Sequence, residues 1–340
     1  MSARTVSESL ADVTFRRPVL IGVIAVCGLA ILIAPQVLGQ FWVSVLIQVM
    51  IFGLFALSHD LLVGHTGLLP LGHAAFFAAA AYGTALLQVD AGQGPVVAIL
   101  GGLLSGVVLA MIFGIAVRTS GVYFILLTMS LGLIVWGTAY RWTSVTGGEG
   151  GIGGVVPPIV NGVEFATLHN YYYVVLAVVL VSVWAYHTVV NSPFGLVLNG
   201  IRESESRMRA LGYNVTLHKY VAFVMSGSLA GVAGVLYVYW NKFMSPAATE
   251  LIRSAEAVLM LVIGGTGTLA GPFLGAGIVL SIRNQLSAYM DRYMLVMGLV
   301  FMLTALFASR GLLGAFHSWR HRRHTAAAAK PREPEEVEAS

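Results

Sequence analysis

The sequence predicts an all-α integral membrane protein: a polytopic bundle of about 8–10 transmembrane helices, with two Gly-rich broken or re-entrant segments and two pseudo-symmetric halves. Three observations carry this. The 340 residues are 57% hydrophobic and 10% charged, with a mean hydropathy of +0.83, where a soluble domain carries about 25% charged residues. Apolar runs long enough to cross a bilayer recur along most of the chain, and the alternating pattern of barrel strands is absent. Lipid offers an unpaired backbone no water, so such runs are helical.

Helical spans are expected over 18–37, 41–62, 71–88, 95–117, 121–140, 171–190, 220–240, 255–283 and 290–309. Residues 1–17 then form a cytoplasmic N-terminus, 18–310 the transmembrane domain with a cytoplasmic loop at 191–219, and 311–340 a cytoplasmic tail, disordered at its end. Arg4, Arg16 and Arg17 precede the first run as in a signal peptide, but no A-x-A-like site follows, so the run reads as a membrane helix. Cys27, the single cysteine, lies in that run and reads as a small packing residue.

Basic residues mark the cytoplasmic side: Arg16 and Arg17, Arg118, then Arg202, Arg207, Arg209 and Lys219, then Arg310, Arg320, Arg322 and Arg323. Both termini are expected inside. This topology also accounts for the net charge of +4, and nucleic acid is not an expected partner. Two markers on one side must be separated by an even number of crossings, yet three predicted spans separate Lys219 from Arg310. The faulty span is 255–283, which Gly264-Gly265-Thr266-Gly267-Thr268-Leu269-Ala270-Gly271-Pro272 interrupts, making it re-entrant or two half-helices.

A similar interruption runs from Gly64 to His73, without Lys or Arg. Gly64-x-Thr66-Gly67-x-Leu69 matches Gly264-x-Thr266-Gly267-x-Leu269, the spacing of a diverged two-half transporter; chance likeness of two Gly- and Thr-rich membrane stretches is the competing explanation. Broken backbone at membrane depth is tolerated where it lines a water-filled path. Asp60, Gly64, Thr66, Gly67, His73, Gly265, Thr266 and Gly267 are therefore candidates for a solute path. The alternative for each glycine is close helix packing.

The loop at 191–219 carries a short amphipathic helix. Leu198, Ile201, Met208 and Leu211 share a face, Glu203 with Arg207 and Glu205 with Arg209 form i,i+4 pairs, and Gly212 stops the helix. Such a stripe needs something to lie against. Two acids against three arginines, with no aromatic, favour a protein partner over lipid headgroups.

None of the three lysines stands in a P-loop, so the chain has no ATPase site of that kind, and no hydrolase or metalloprotease motif is present. No cofactor is expected. His59, Asp60, His65 and His73 cluster at the first break, and Glu256 opens the eighth run. The cluster reads either as a proton relay or as packing and capping groups; its spacings fit no usual zinc set.

Six blocks occur in order: GHTGLLPLGHAAFFAAAAYG from Gly64, GVYFILLTMSLG from Gly121, TGGEGGIGG from Thr146, FGLVLNGIRESESRMRALGYNV from Phe194, SGSLAGVAGVLY from Ser226, and SAEAVLMLVIGGTGTLAGPFLGA from Ser254. In these blocks the chain resembles the inner-membrane permeases of branched-chain amino acid ABC importers, the LivM type, over about residues 45–305. The resemblance implies a non-enzymatic transport subunit of a bacterial inner membrane that moves branched-chain or related small neutral amino acids, urea or short amides being alternatives. Its implied partners are ABC ATPase subunits, a second homologous permease and a periplasmic solute-binding protein near Thr146–Gly154. By the same resemblance Ile201, Arg202, Glu203, Glu205, Arg207, Met208, Arg209, Ala210, Leu211 and Gly212 form the coupling helix that enters the ATPase. The chain departs from the family in carrying Asp60 where Asn is common and His65 where an aromatic is common. It retains only Glu205 and Ala210-Leu211-Gly212 of the loop signature of the commonest ABC permease class.

Overall fold

The computed structural model describes residues 31–160, 163–164 and 167–289, with single positions at 295, 298, 299 and 302. The termini at 1–17 and 311–340, most of the first expected span, Cys27 and all but those four positions of the expected span 290–309 lie outside the described residues, and so do Arg16, Arg17 and the basic tail.

Residues 31–37 are helical and lead into α1, Gln40–Val63. There follow α2, Ala74–Ala85, which runs on through a wider π-helical turn at Leu86–Asp90, and α3, Pro95–Phe113. Pro95 suits the first turn of α3, where its missing N–H leaves no partner unmet. Next are α4, Val122–Arg141, and α5, Leu168–Val190. Two short helices, α6, Pro193–Glu203, and α7, Glu205–Ala210, precede α8, Val215–Asn241, whose N-terminus Asn214 caps by accepting from Leu217 N at 3.1 Å. The chain continues as α9, Leu251–Gly264, and α10, Gly271–Tyr289. Among the described residues five helices, α1, α3 with its 3₁₀ extension to Arg118, α4, α5 and α8, are long and apolar enough to cross a membrane.

α1 and α8 form the centre. α8 packs along α1, α2 and α3, while α10 lies on α1 and against α9. Small residues permit the approach: a Cβ on Gly231 would stand 3.3 Å from Ala80 Cβ, and one on Gly227 2.5 Å from Ala110 Cβ. The outer helices turn bulky apolar groups away from the bundle, among them Leu100, Leu104, Ile134, Leu180, Val181 and Trp184. Such residues, stranded in water, would be a liability; against acyl chains they are the ordinary surface.

Two sets of contacts mark the ends of the bundle. At one end the strand Ile152–Gly153 after α4 pairs with Phe243–Met244 after α8. At the other, the Arg202 guanidinium meets the Gly64 carbonyl, and Gly267 N–H reaches Asp60. From Gly64 to Arg202 the chain passes along α2, α3, α4 and α5, and from Arg202 to Gly267 along α8 and α9, an even number each time. Over 255–283, expected to be re-entrant or two half-helices, the chain forms two helices, because the backbone leaves helical geometry at Gly265, with φ 111°, and re-enters it only at Gly271. The 14 residues of α9 reach about 21 Å at 1.5 Å per residue, less than a hydrocarbon core of about 30 Å.

Candidate functional site

At the end of the bundle shared by Gly64, Arg202 and Gly267, the two glycine breaks meet. Near the C-terminus of α1, Ser58, His59 and Asp60 are fully buried. Gly64 caps it, and Arg202 donates to the Gly64 carbonyl, placing a cation on one of the orphan oxygens at the negative end of the helix. Beyond the cap, Gly67 adopts φ 74°, a left-handed conformation that glycine enters without a Cβ clash. Thr66 folds back, its hydroxyl donating to Leu62 O at 2.8 Å and accepting from Leu68 N at 3.4 Å.

Asp60 is the junction. Its Oδ1 accepts from Gly267 N at 2.7 Å, and its Oδ2 accepts from the Tyr186 hydroxyl at 2.7 Å. One carboxylate thereby joins α1, α5 and the second break. Tyr186 has spent its only hydrogen on Asp60, so at the 3.2 Å contact between His65 Nε2 and Tyr186 Oη the imidazole is the donor. His65 Nδ1 then stands 3.0 Å from Asn199 Oδ1 on α6. A neutral ring meets Asn199 with the carboxamide turned to donate its N–H; a doubly protonated ring meets the oxygen as it stands. The chain Asn199–His65–Tyr186–Asp60–Gly267 is continuous, and bonds in such chains polarise one another.

His73 belongs to a second polar group. Its Nε2 lies 2.8 Å from Ser226 Oγ, which itself donates to Ser58 O, so His73 donates there. The His59 ring is 4.2 Å from that of His73, centre to centre, and its Nδ1 donates to Phe55 O at 3.1 Å. His59 Nε2 and His73 Nδ1 have no partner within the described residues. Ser254 on α9 accepts from Ala74 N at 2.9 Å, binding the start of α2 to the arm of the second break. No cluster of three or more His, Cys, Asp or Glu suited to a metal exists among the described residues. Glu256, the ionisable residue that opens the eighth run, is paired with Arg253 at 3.1 Å and Arg283 at 3.5 Å.

The loop helix departs from expectation. It is two helices, because Ser204 is extended, with φ −163° and ψ 103°, and caps α7 by accepting from Arg207 N at 3.4 Å. Leu198, Ile201 and Met208 are buried against the protein's own body, while Leu211, beyond the turn, is 67% exposed. The expected exposed stripe therefore does not exist: Ile201 and Met208 hold the loop to the bundle, and the outer surface is formed by Glu203, Arg207, Arg209, Ala210, Leu211 and Gly212. The two i,i+4 pairs are present, Glu203–Arg207 at 4.0 Å and Glu205–Arg209 at 3.5 Å. Glu205 also pairs with Lys219, buried on α8.

The site thus gathers Asp60, Gly64, Gly67, Arg202 and Gly267, with Gly265 and the half-buried Thr266 beside them, and leaves His73 in its own cluster. Tyr186 and Asn199 were not among the expected residues. Tyr186 sits in an aromatic-rich apolar helix and Asn199 on the polar edge of α6, and no local pattern distinguishes either.

Broken helices in an apolar bundle, bridged by a polar network to the α6–α7 loop, are the framework of a polytopic membrane protein. The chain belongs to the family described as "Branched-chain amino acid transport system / permease component", which matches residues 41–305. It is 29% identical over 303 residues, 82% of this chain and 71% of the relative, to the high-affinity branched-chain amino acid transport system permease protein LivM of Salmonella typhimurium. The Escherichia coli protein of the same description is 28% identical with the same coverage. A shorter match, 30% over 119 residues and 34% of each chain, joins it to the autoinducer 2 import system permease protein LsrC of Klebsiella pneumoniae. No solved structure matches the chain.

Proposed function

We propose that the chain is the membrane-spanning permease subunit of an ATP-driven importer that carries branched-chain or related small neutral amino acids into the cytoplasm. The loop of α6 and α7 faces the cytoplasm, as its arginines and Lys219 and the positive-inside rule support, and both termini lie on that side of a bacterial inner membrane. ATP is hydrolysed in partner subunits, a second homologous permease completes the pore, and a periplasmic solute-binding protein docks at the end formed by Thr146–Gly154 and Phe243–Met244. The observation that carries this reading is the attachment of the loop, through Asn199 and Arg202, to the first glycine break, and from there through Tyr186 and Asp60 to the second. Conformational work done on the loop has a physical route to both glycine breaks.

LsrC relatives are named for autoinducer 2, so kin of this permease serve more than one solute, and the binding protein is the natural place for selection. Leucine, isoleucine and valine are the expected cargo, with urea and short amides as alternatives.

The test places Arg207→Glu and Leu211→Asp, both outward-facing, on the loop surface. Copurification with the ATPase subunits and uptake of labelled leucine are both expected to be lost while the permease accumulates normally; survival of both overturns the docking assignment. A second reading, a proton-coupled carrier, is favoured by the continuous Asp60–Tyr186–His65 chain. Uptake that persists after ATP depletion and collapses with the proton gradient selects that reading instead.

A further inference from the structure

We propose that Tyr186, His65, Asn199 and Arg202 are positioning residues that transmit displacement of the α6–α7 loop to the second glycine break, with Asp60 as the clasp; this rests on the proposed importer function.

Beyond its apolar base and the Glu205–Lys219 pair on α8, the loop has two grips on the first break. Asn199 and Arg202, three residues apart on α6 and so adjacent on its surface, reach His65 and the Gly64 carbonyl. Leu198 and Ile201 on the same helix are buried, which ties α6 and its two polar arms to the bundle as one element. From Asn199 the route crosses His65 at 3.0 Å, Tyr186 at 3.2 Å and Asp60 at 2.7 Å, and ends at Gly267 N at 2.7 Å. Each link spans distant segments: Asn199 is 134 positions from His65, Tyr186 is 126 from Asp60, and Gly267 is 207 from Asp60.

The receiving end is built to yield. Apart from the Asp60 bond, the second break is held by its own Thr268, whose hydroxyl donates to Gly265 O at 2.8 Å and accepts from Gly271 N at 3.2 Å. Gly265 at φ 111° and Gly267 at φ 76° occupy backbone regions from which glycine can move at little steric cost, and Gly267 has nothing within 4 Å of a built Cβ. Both Asp60 oxygens are engaged and the side chain is fully buried, so here the carboxylate fastens two backbone breaks together and presents no free oxygen to a solute amine. A displacement of α6 must therefore lengthen this chain of bonds or carry Gly267 with it.

The experiment uses the full-length chain, with its single cysteine replaced as Cys27→Ser, co-expressed with its ATPase partners and reconstituted in liposomes. Nitroxide pairs are placed at Leu211→Cys with Phe243→Cys, reporting the loop, and at Ala270→Cys with Phe243→Cys, reporting the second break; all three sites are exposed. ATP is expected to shift both distances in the parent. In Tyr186→Phe and in Asn199→Ala the loop shift is expected to remain and the Ala270 shift to vanish, with uptake falling about tenfold and ATP hydrolysis changing less than about twofold. Loss of stability alone would lower uptake and hydrolysis together. An Ala270 shift that survives in both variants, or uptake and hydrolysis that fall in parallel, overturns the proposal. Asn199→Ala, at the half-exposed edge of the network, keeps the test open where Tyr186→Phe does not accumulate. A parent complex without any ATP response overturns the importer function itself, and the inference with it.

Discussion

The two glycine breaks share a six-residue pattern, Gly-x-Thr-Gly-x-Leu, and they are built differently. The first is mostly buried, Gly67 alone being exposed, and is gripped by other elements: Arg202 on the Gly64 carbonyl, Asn199 on His65, and Thr66 folded onto Leu62. The second is partly exposed, turned by Thr268 within itself, and fastened to the rest of the described protein by Asp60 alone among hydrogen-bonding side chains. Identical local backbone chemistry thus serves as an anchored hub in one place and as a tethered hinge in the other. What decides between them is the company each keeps.

The largest test of this difference removes the tether. Asp60→Leu leaves the buried Tyr186 hydroxyl without its acceptor, at a cost of about 1–3 kcal/mol, and releases the exposed Gly267 from its tether. Thermal unfolding of the detergent-purified protein should fall by several degrees and uptake should be abolished, whereas Asp60→Asn, which keeps an acceptor for Gly267, should retain the greater part of both. Equal damage from the two substitutions would show that charge, and not the bond to Gly267, fastens the break.

A middle-sized effect separates the two left-handed glycines. Gly67→Ala and Gly267→Ala each force a Cβ into a left-handed backbone, costing about 1–2 kcal/mol. At Gly67 the new methyl also stands 3.4 Å from Arg202 Cγ, while at Gly267 it meets open space. Uptake should therefore fall further for Gly67→Ala than for Gly267→Ala at similar thermal stability; the reverse order would mean that the second break is the more constrained.

The smallest effect compares the two threonines. Thr66→Ala loses two hydrogen bonds of its own turn and should cost about 1 kcal/mol in unfolding stability. Thr266, half-buried and without a hydrogen bond among the described residues, should tolerate alanine within about 0.5 kcal/mol. A larger loss of uptake than of stability for Thr266→Ala would mark it as a solute contact.

Much of the architecture was legible in the sequence because lipid imposes a coarse, nearly local rule. The span expected at 41–62 is observed at Gln40–Val63, and that at 121–140 at Val122–Arg141. Parity of the basic residues located the faulty span, and the structure divides it at Gly265. The amphipathic loop was half legible. Leu198, Ile201 and Met208 do share a buried face, but Leu211 does not, because the extended Ser204 turns the chain between the two halves. Serine is common in both helices and caps, so spacing alone carries no sign of that turn.

Composition, the recurrence of apolar runs, the placement of Arg and Lys and the two glycine-rich interruptions were determined by the sequence alone, since each depends on transfer to lipid or on the backbone freedom of a single residue. The tertiary structure decided that Asp60 faces Gly267 and Tyr186, that His65 joins Asn199, and that His73 stands apart with His59 and Ser226. Those pairings connect residues 126 to 207 positions apart, and only the packing of α1, α5, α6 and α9 brings their donors within reach of an acceptor. A hydrogen bond has a range of about 3 Å and no signature in the chain between its partners, so the fold alone can reveal it.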